Sequence, residues 1–287
     1  MTQRLGDIAA HITDVRQLGA IVTAMRGIAA ARAQQSRGVL AGIEAHARIV
    51  SRAIGEALLL SPHGSAVAEA RPNGRKAVIL FCAEGGFCGG LSDRVLDAAM
   101  GDGKTRQPIF IVGTRGVTIA RERGVEAAWT AASATQMGAV PAVAERIAAE
   151  LYRGIAGGKY LRAEMIYPRT VIGAPVSIER QPLLPLDLSR FRFATPLQPP
   201  LVNLHRDVLV EQLAGDYVYA LLCNAAMHSF IAENEARMTA MAAAREHIDE
   251  NLAALVRHEH QVRQEEITNE IIELSTAAFD FSLTHRA

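Results

Sequence analysis

Apolar residues recur every three or four positions from the start of the chain, at Leu5, Ile8, Ile12, Val15, Leu18, Val22, Met25 and Ala29. That spacing sets them on one stripe of a helix, and no proline occurs before Pro62 to end it. Gly6, Gly19, Gly27, Gly38, Gly42 and Gly55 weaken this helix without breaking it. At the other end, Met238, Met241, Arg245, Ile248, Leu252, Leu255 and Val262 step by three and four, with Glu259 filling the missing rung. After a one-residue phase shift, Ile267, Ile271, Leu274, Ala278 and Phe281 carry the stripe on. Residues 201–287 contain no proline and a single glycine, Gly215. A helix from about residue 205 to 283 is about 115 Å long at 1.5 Å per residue, longer than the interior of any globular domain. The pattern therefore predicts a long antiparallel coiled coil, in which the N- and C-terminal helices are each other's partners and the longer one protrudes.

Between the ends, residues 61–74 have the small, turn-forming composition of a linker. Lys76 to Cys82 is a short apolar run suited to a buried strand, and Pro108 to Gly113 repeats the signal. Helical segments are expected around 91–96, 114–123 and 140–156, and extended ones near 161–167 and 170–180. Pro182, Pro185, Pro196, Pro199 and Pro200 mark the link back to the last helix. Strands alternating with helices predict a central Rossmann-like α/β domain with a partly parallel sheet. The expected division is 1–60 for the N-terminal coiled-coil helix, 61–200 for the α/β domain, and 201–287 for the C-terminal coiled-coil helix that pairs with 1–60.

Charge strengthens the pairing. The chain of 287 residues has no net charge, yet residues 1–60 hold seven Arg against four acids and residues 231–287 eleven acids against five Arg. The ends are thus +3 and −6 and complementary. Zero net charge argues against a nucleic-acid partner. At 49% hydrophobic residues the chain can bury enough surface to fold. No run reaches the roughly 18 apolar residues of a membrane span, and no secretory or transit signal is expected. Cys82, Cys88 and Cys223 are too unevenly placed for a disulfide framework or a zinc site and read as buried thiols of a reducing compartment.

Candidate chemistry is sparse. The segment from Ala83 to Arg94 sets glycines between a strand and a helix, where phosphates often bind. Gly85, Gly86, Gly89 and Gly90 give neither G-x-G-x-x-G nor a Walker loop, so a tight turn is the simpler reading. Cys88 near a helix N-terminus could be a nucleophile, but no histidine partner is evident. His258 and His260 lie two apart and point to different sides of a helix, so they cannot jointly hold a metal. Glu265 with Glu266, and Glu270 with Glu273, have no cleft on an extended helix to make them general acids or bases. The residues offer no catalytic group, cofactor site or metal site, and point to a mechanical or scaffolding element.

Several segments resemble the gamma subunit of F-type ATP synthases. The family's I-T-K-A-M-x-M-V-A-A-x-K is similar to IVTAMRGIAAAR at Ile21–Arg32. Its D-R-G-L-C-G-G-L-N turn is similar to AEGGFCGGLSD at Ala83–Asp93, and its A-R-Q-x-x-I-T-x-E-I to VRQEEITNEI at Val262–Ile271, while R-M-x-A-M is matched by Arg237 to Met241. Thr23, Gly27, Arg32 and the Ala83-Glu84 pair depart from those patterns, as Ser275 and Thr276 do from glycines usual near the C-terminal tip, which marks a divergent bacterial branch. The resemblance implies a non-catalytic rotor shaft that couples ion-driven rotation of a membrane ring of c subunits to ATP synthesis or hydrolysis. The implied partners are a hexamer of alpha and beta subunits, the epsilon subunit and the c-ring, at the cytoplasmic side of the cell membrane. Met25, Arg237, Gln264, Thr268 and Glu270 match positions that contact beta subunits and transmit torque, and Phe279, Phe281 and Leu283 form the bearing tip. Without the resemblance, a coiled-coil adaptor with an α/β head and a Rossmann-type nucleotide-binding enzyme stay open.

Overall fold

The computed structural model describes residues 2–60, 75–101, 107–171, 173–191 and 201–284, with side chains described from 5 to 275 among them. In chain order the elements are α1 (Thr2–Leu59), β1 (Lys76–Phe81), α2 (Leu91–Met100), β2 (Ile109–Val112), α3 (Thr114–Glu122), β3 (Trp129–Ala131), α4 (Val140–Ala156), β4 (Arg162–Arg169), β5 (Ser177–Leu184) and α5 (Arg206–Thr284). A 3₁₀ turn, Met137–Ala139, leads into α4, and another, Leu188–Phe191, follows β5. The chain forms two compact units, one of Met1–Ile28 with Met238–Ala287, the other of Ala29–Arg237.

In the first unit the two helical segments run antiparallel, with Gly19 against Ile248 and Arg245, and Thr23 against Arg245. Ile12, Val15, Gly19 and Val22 are buried on α1. On α5, Met241 and Val262 are buried and Arg245, Ile248, Leu252, Leu255 and Glu259 half-buried, alternating steps of three and four as heptad seams do. The C-terminal stripe is the one read from sequence as far as Val262. Two stretches of the expected stripes differ. Leu18 is 49% exposed and Gly19 takes its place, because the Arg245 guanidinium lies over the glycine, 2.8 Å from where a Cβ would stand. Ile267, Ile271 and Leu274 are exposed, since the seam keeps its phase through half-buried Glu266 and does not shift by one residue. Ala278 and Phe281 lie outside the residues whose side chains are described.

The second unit is a three-layer sandwich on a five-stranded sheet of order β3-β2-β1-β4-β5. The first four strands are parallel and β5 is antiparallel to β4. Both faces of the parallel part are covered, so β1 reads as a continuous apolar run. Ala77, Ile79 and Phe81 face one way, toward Val143, Ile147 and Leu151 of α4 and Leu222, Ala226 and Phe230 of α5. Val78, Leu80 and Cys82 face the other, toward Val95 and Leu96 of α2 and Ile119 and Ala120 of α3. Burying each large side chain here is worth about 1.5–3 kcal/mol. Further along α1, Val50 and Ile54 pack with Phe191, and at the sheet edge the Glu164 carboxylate joins Lys76 at 2.9 Å and Arg180 at 2.8 Å.

Two strands depart from expectation. β3 is only three residues and carries no periodic signal. The last extended stretch lies at Ser177–Leu184 rather than near 170–180 and contains Pro182, opposite Glu164 where the register shifts. An edge strand tolerates a proline, because the missing N–H faces no partner.

Candidate functional site

The C-terminal end of β1 lies between β2 and β4, where the order of a doubly wound sheet reverses and where such folds bind ligands. The glycine loop leaves from this point. Ser92, in the first turn of α2, accepts the Ala83 N–H at 3.1 Å. Gly113, at φ 114°, lets the β2–α3 junction pass the β1 end so closely that a Cβ there would stand 2.4 Å from the Cys82 carbonyl oxygen. Phe87 takes a left-handed backbone conformation, φ 60°, and stands 67% exposed.

Two carboxylates organise this loop. Glu84 turns away from α5 and accepts the Thr114 N–H at 3.0 Å, the Thr114 hydroxyl at 2.6 Å and the Ser133 N–H at 2.6 Å. Glu233 of α5, 6% exposed, accepts the Glu84 N–H at 2.9 Å and the Gly85 N–H at 3.2 Å. Arg237, one turn further along α5, pairs with Glu233 at 2.7 Å and donates to the Gly86 carbonyl at 3.3 Å and the Cys88 sulfur at 3.2 Å. Backbone N–H groups that a phosphate would use in a Rossmann fold are here taken by side chains of the same chain.

The thiols are inert by environment. Burial first, then the Glu233 carboxylate, raises Cys88 to about 11, against the opposing pull of Arg237. Burial and Asp93 raise Cys82 to about 12. A nucleophilic Cys88 would need the opposite shift. His228 is buried beneath α1, its Nδ1 3.2 Å from the Thr170 hydroxyl, and burial lowers its pKa although Glu44 opposes.

The residues singled out from sequence are divided between the two units. Arg237 belongs to the second unit, wedged against the glycine loop with its side chain 15% exposed. In the first unit Gln264, Thr268 and Glu270 are exposed on α5, where Thr268 returns its hydroxyl to the Gln264 carbonyl at 2.8 Å, and Met25 is half-buried on α1. Phe279, Phe281 and Leu283 lie outside the residues whose side chains are described. Sequence reasoning missed Glu233, whose one local signal is its i,i+4 relation to Arg237.

A family model described as ATP synthase matches residues 4–279, and among named relatives the chain is 25% identical over 310 residues to the ATP synthase gamma chain of Nocardia farcinica, covering 94% of this chain and 95% of that one. The chain belongs to the ATP synthase gamma-subunit family. It is also 24% identical over 221 residues to the ATP synthase gamma chain of Clostridium perfringens, covering 75% of this chain and 76% of that protein. Among solved structures, it is similar at a TM-score of 0.66 and 13% identity to a chain of the Euglena gracilis mitochondrial ATP synthase, OSCP/F1/c-ring, covering 100% of this chain and 97% of that one. The rotor of the same Euglena enzyme gives 0.60 at 13% identity over 93% of this chain and 100% of that chain. The helix pair and α/β layers are thus those of the gamma fold.

Proposed function

We propose that this chain is the rotor shaft of a bacterial F-type ATP synthase, without catalytic activity of its own and peripheral to the cytoplasmic face of the membrane. Among the described residues no helix is long and apolar enough to cross a membrane. The observation that carries the reading is the first unit, a helix pair with one buried seam and apolar side chains on its outside, at Leu18, Ile21, Ile28, Ile267, Ile271 and Leu274. An isolated globular protein has no use for that surface, whereas a shaft turning inside a sleeve of alpha and beta subunits needs weakly directional contacts all round.

In this reading Met25, Gln264, Thr268 and Glu270 meet the beta subunits, and Arg237 holds the glycine loop firm as a further contact. Phe279, Phe281 and Leu283 form the bearing tip. The α/β unit sits against the epsilon subunit and the c-ring. Rotation presents an uneven shaft to successive catalytic sites, so each orientation favours a different conformation and nucleotide affinity, and torque becomes a population shift.

The test is co-expression with alpha and beta subunits of the same source. The chain is expected to co-purify with them as one complex and to be required for its ATP hydrolysis. Recovery of a hydrolytically normal complex without it, or failure of the three to associate, overturns the assignment.

A further inference from the structure

Three elements of the second unit, α1, β4 and α5, meet at one buried imidazole. His228 of α5 is 3% exposed. Its Nδ1 lies 3.4 Å from the Thr170 backbone nitrogen and 3.2 Å from the Thr170 hydroxyl, just past the end of β4. Its Nε2 lies 3.9 Å from the Glu44 carboxylate of α1. The Tyr167 ring of β4 packs on its face, with centroids 5.9 Å apart. Thr170 opens the connection between β4 and β5, in which the Ala174 N–H donates to the Val171 carbonyl at 3.1 Å.

These contacts fix the tautomer. A backbone N–H can only donate, so the nitrogen it meets must present a lone pair. Nδ1 is therefore the acceptor, and the ring proton sits on Nε2, toward Glu44. A second proton goes to Nδ1, and there it meets the Thr170 N–H donor to donor. The Thr170 hydroxyl can turn to accept from it; the amide cannot, and loses its partner. On the other side Nε2–H, now part of a cation, gains a charge-assisted bond once the Glu44 carboxylate closes by about 1 Å. The Glu44 side chain is 42% exposed and so can shift. One proton thus exchanges a partner beyond β4 for a partner on α1.

We propose that His228 is a proton-operated latch: neutral, it ties the β4–β5 connection to α5 through Thr170, and protonated it releases that connection and draws in Glu44 of α1. The charged groups that face the ring are Glu44 of α1, Arg169 of β4 and Glu179 of β5, the last two paired with each other at 2.7 Å. Both carboxylates favour the imidazolium, while burial and the Arg169 guanidinium resist it and win. The latch therefore stays shut at neutral pH and opens on the acid side of the ordinary histidine range.

The experiment is nuclear magnetic resonance of the full chain, using wild type, His228→Gln and Glu44→Gln. At about pH 7.5 the nitrogen shifts of the His228 ring are expected to show Nδ1 bare and Nε2 protonated. Amide exchange, corrected for its intrinsic pH dependence, is expected to lose about 10-fold of protection at Thr170 between about pH 7.5 and 5, while Ile166 within β4 keeps its protection. His228→Gln, which takes up no proton, abolishes the loss. Glu44→Gln removes an anion that favours the imidazolium, so the loss moves to lower pH. A proton on Nδ1 at the higher pH, constant Thr170 protection in wild type across that range, or the same loss in His228→Gln overturns the proposal. The first two outcomes are read on wild type alone and decide the matter even where His228→Gln does not fold.

Discussion

The Arg237 guanidinium donates to the Cys88 sulfur at 3.2 Å, joining the last helix to a loop that precedes it by 149 residues. Charge at this contact favours the thiolate, but burial and Glu233 outweigh it. At pH 8 a thiol of pKa about 11 is ionised on the order of 10²-fold less than a free cysteine near 8.5. Iodoacetamide labelling of the native chain, followed by mass spectrometry, is expected to modify Cys88 about that much more slowly than the same chain unfolded in urea. Equal rates would show the loop to be open.

Glu233→Ala strips the partner from Arg237 and leaves the Glu84 and Gly85 N–H groups without an acceptor. Breaking a buried pair costs about 3–5 kcal/mol, and partial solvent access to Arg237 reduces this to about 2–4 kcal/mol. Urea denaturation of the α/β signal measures it. Glu233→Gln, which keeps an acceptor oxygen, is expected to lose less than half as much.

A glycine inside a helix is usually improved by alanine, by about 1 kcal/mol. Gly154 of α4 reverses that rule, because its Cβ would stand 1.8 Å from the Tyr160 hydroxyl oxygen. Overpacking costs about 1–3 kcal/mol and outweighs the propensity gain, so Gly154→Ala lowers the thermal midpoint. Gly38→Ala, with nothing within 4 Å, raises it. A double-mutant cycle with Tyr160→Ala tests the cause: the penalty of Gly154→Ala vanishes once the ring is gone.

His228 sets an acid limit. Its folded pKa lies below the ordinary 6.5 because burial disfavours the imidazolium, with Arg169 acting the same way and Glu44 and Glu179 opposing. The unfolded chain therefore binds a proton that the folded chain resists. The corresponding stability is present above about pH 6.5 and is lost as pH falls toward the folded value. His228→Gln is expected to flatten the stability curve between pH 7 and 5 relative to wild type; parallel curves would exclude this residue as the source.

Much of this architecture was legible because repetition announces it. Steps of three and four gave both long helices, and apolar runs gave β1 and β2. Leu18 and Gly19 could not be told apart, since either completes the same step, and only the Arg245 side chain opposite decides between them. β3 is too short to show a period, and Pro182 disguised β5 as a link. Arg237 was found by its motif, yet its role in bracing the glycine loop was not. That role depends on Glu233, and the contacts between Glu233 and the loop close only when segments 149 residues apart come together.

The exposed ridge of Ile267, Ile271, Ile272 and Leu274 also bears on supply inside a cell. A chain made in excess of its companions shows greasy surface to every other protein around it and becomes a client of chaperones and proteases. On the proposed reading, partners cover that ridge, and the chain's abundance is set by how quickly they do so, so production has to be matched across the assembly.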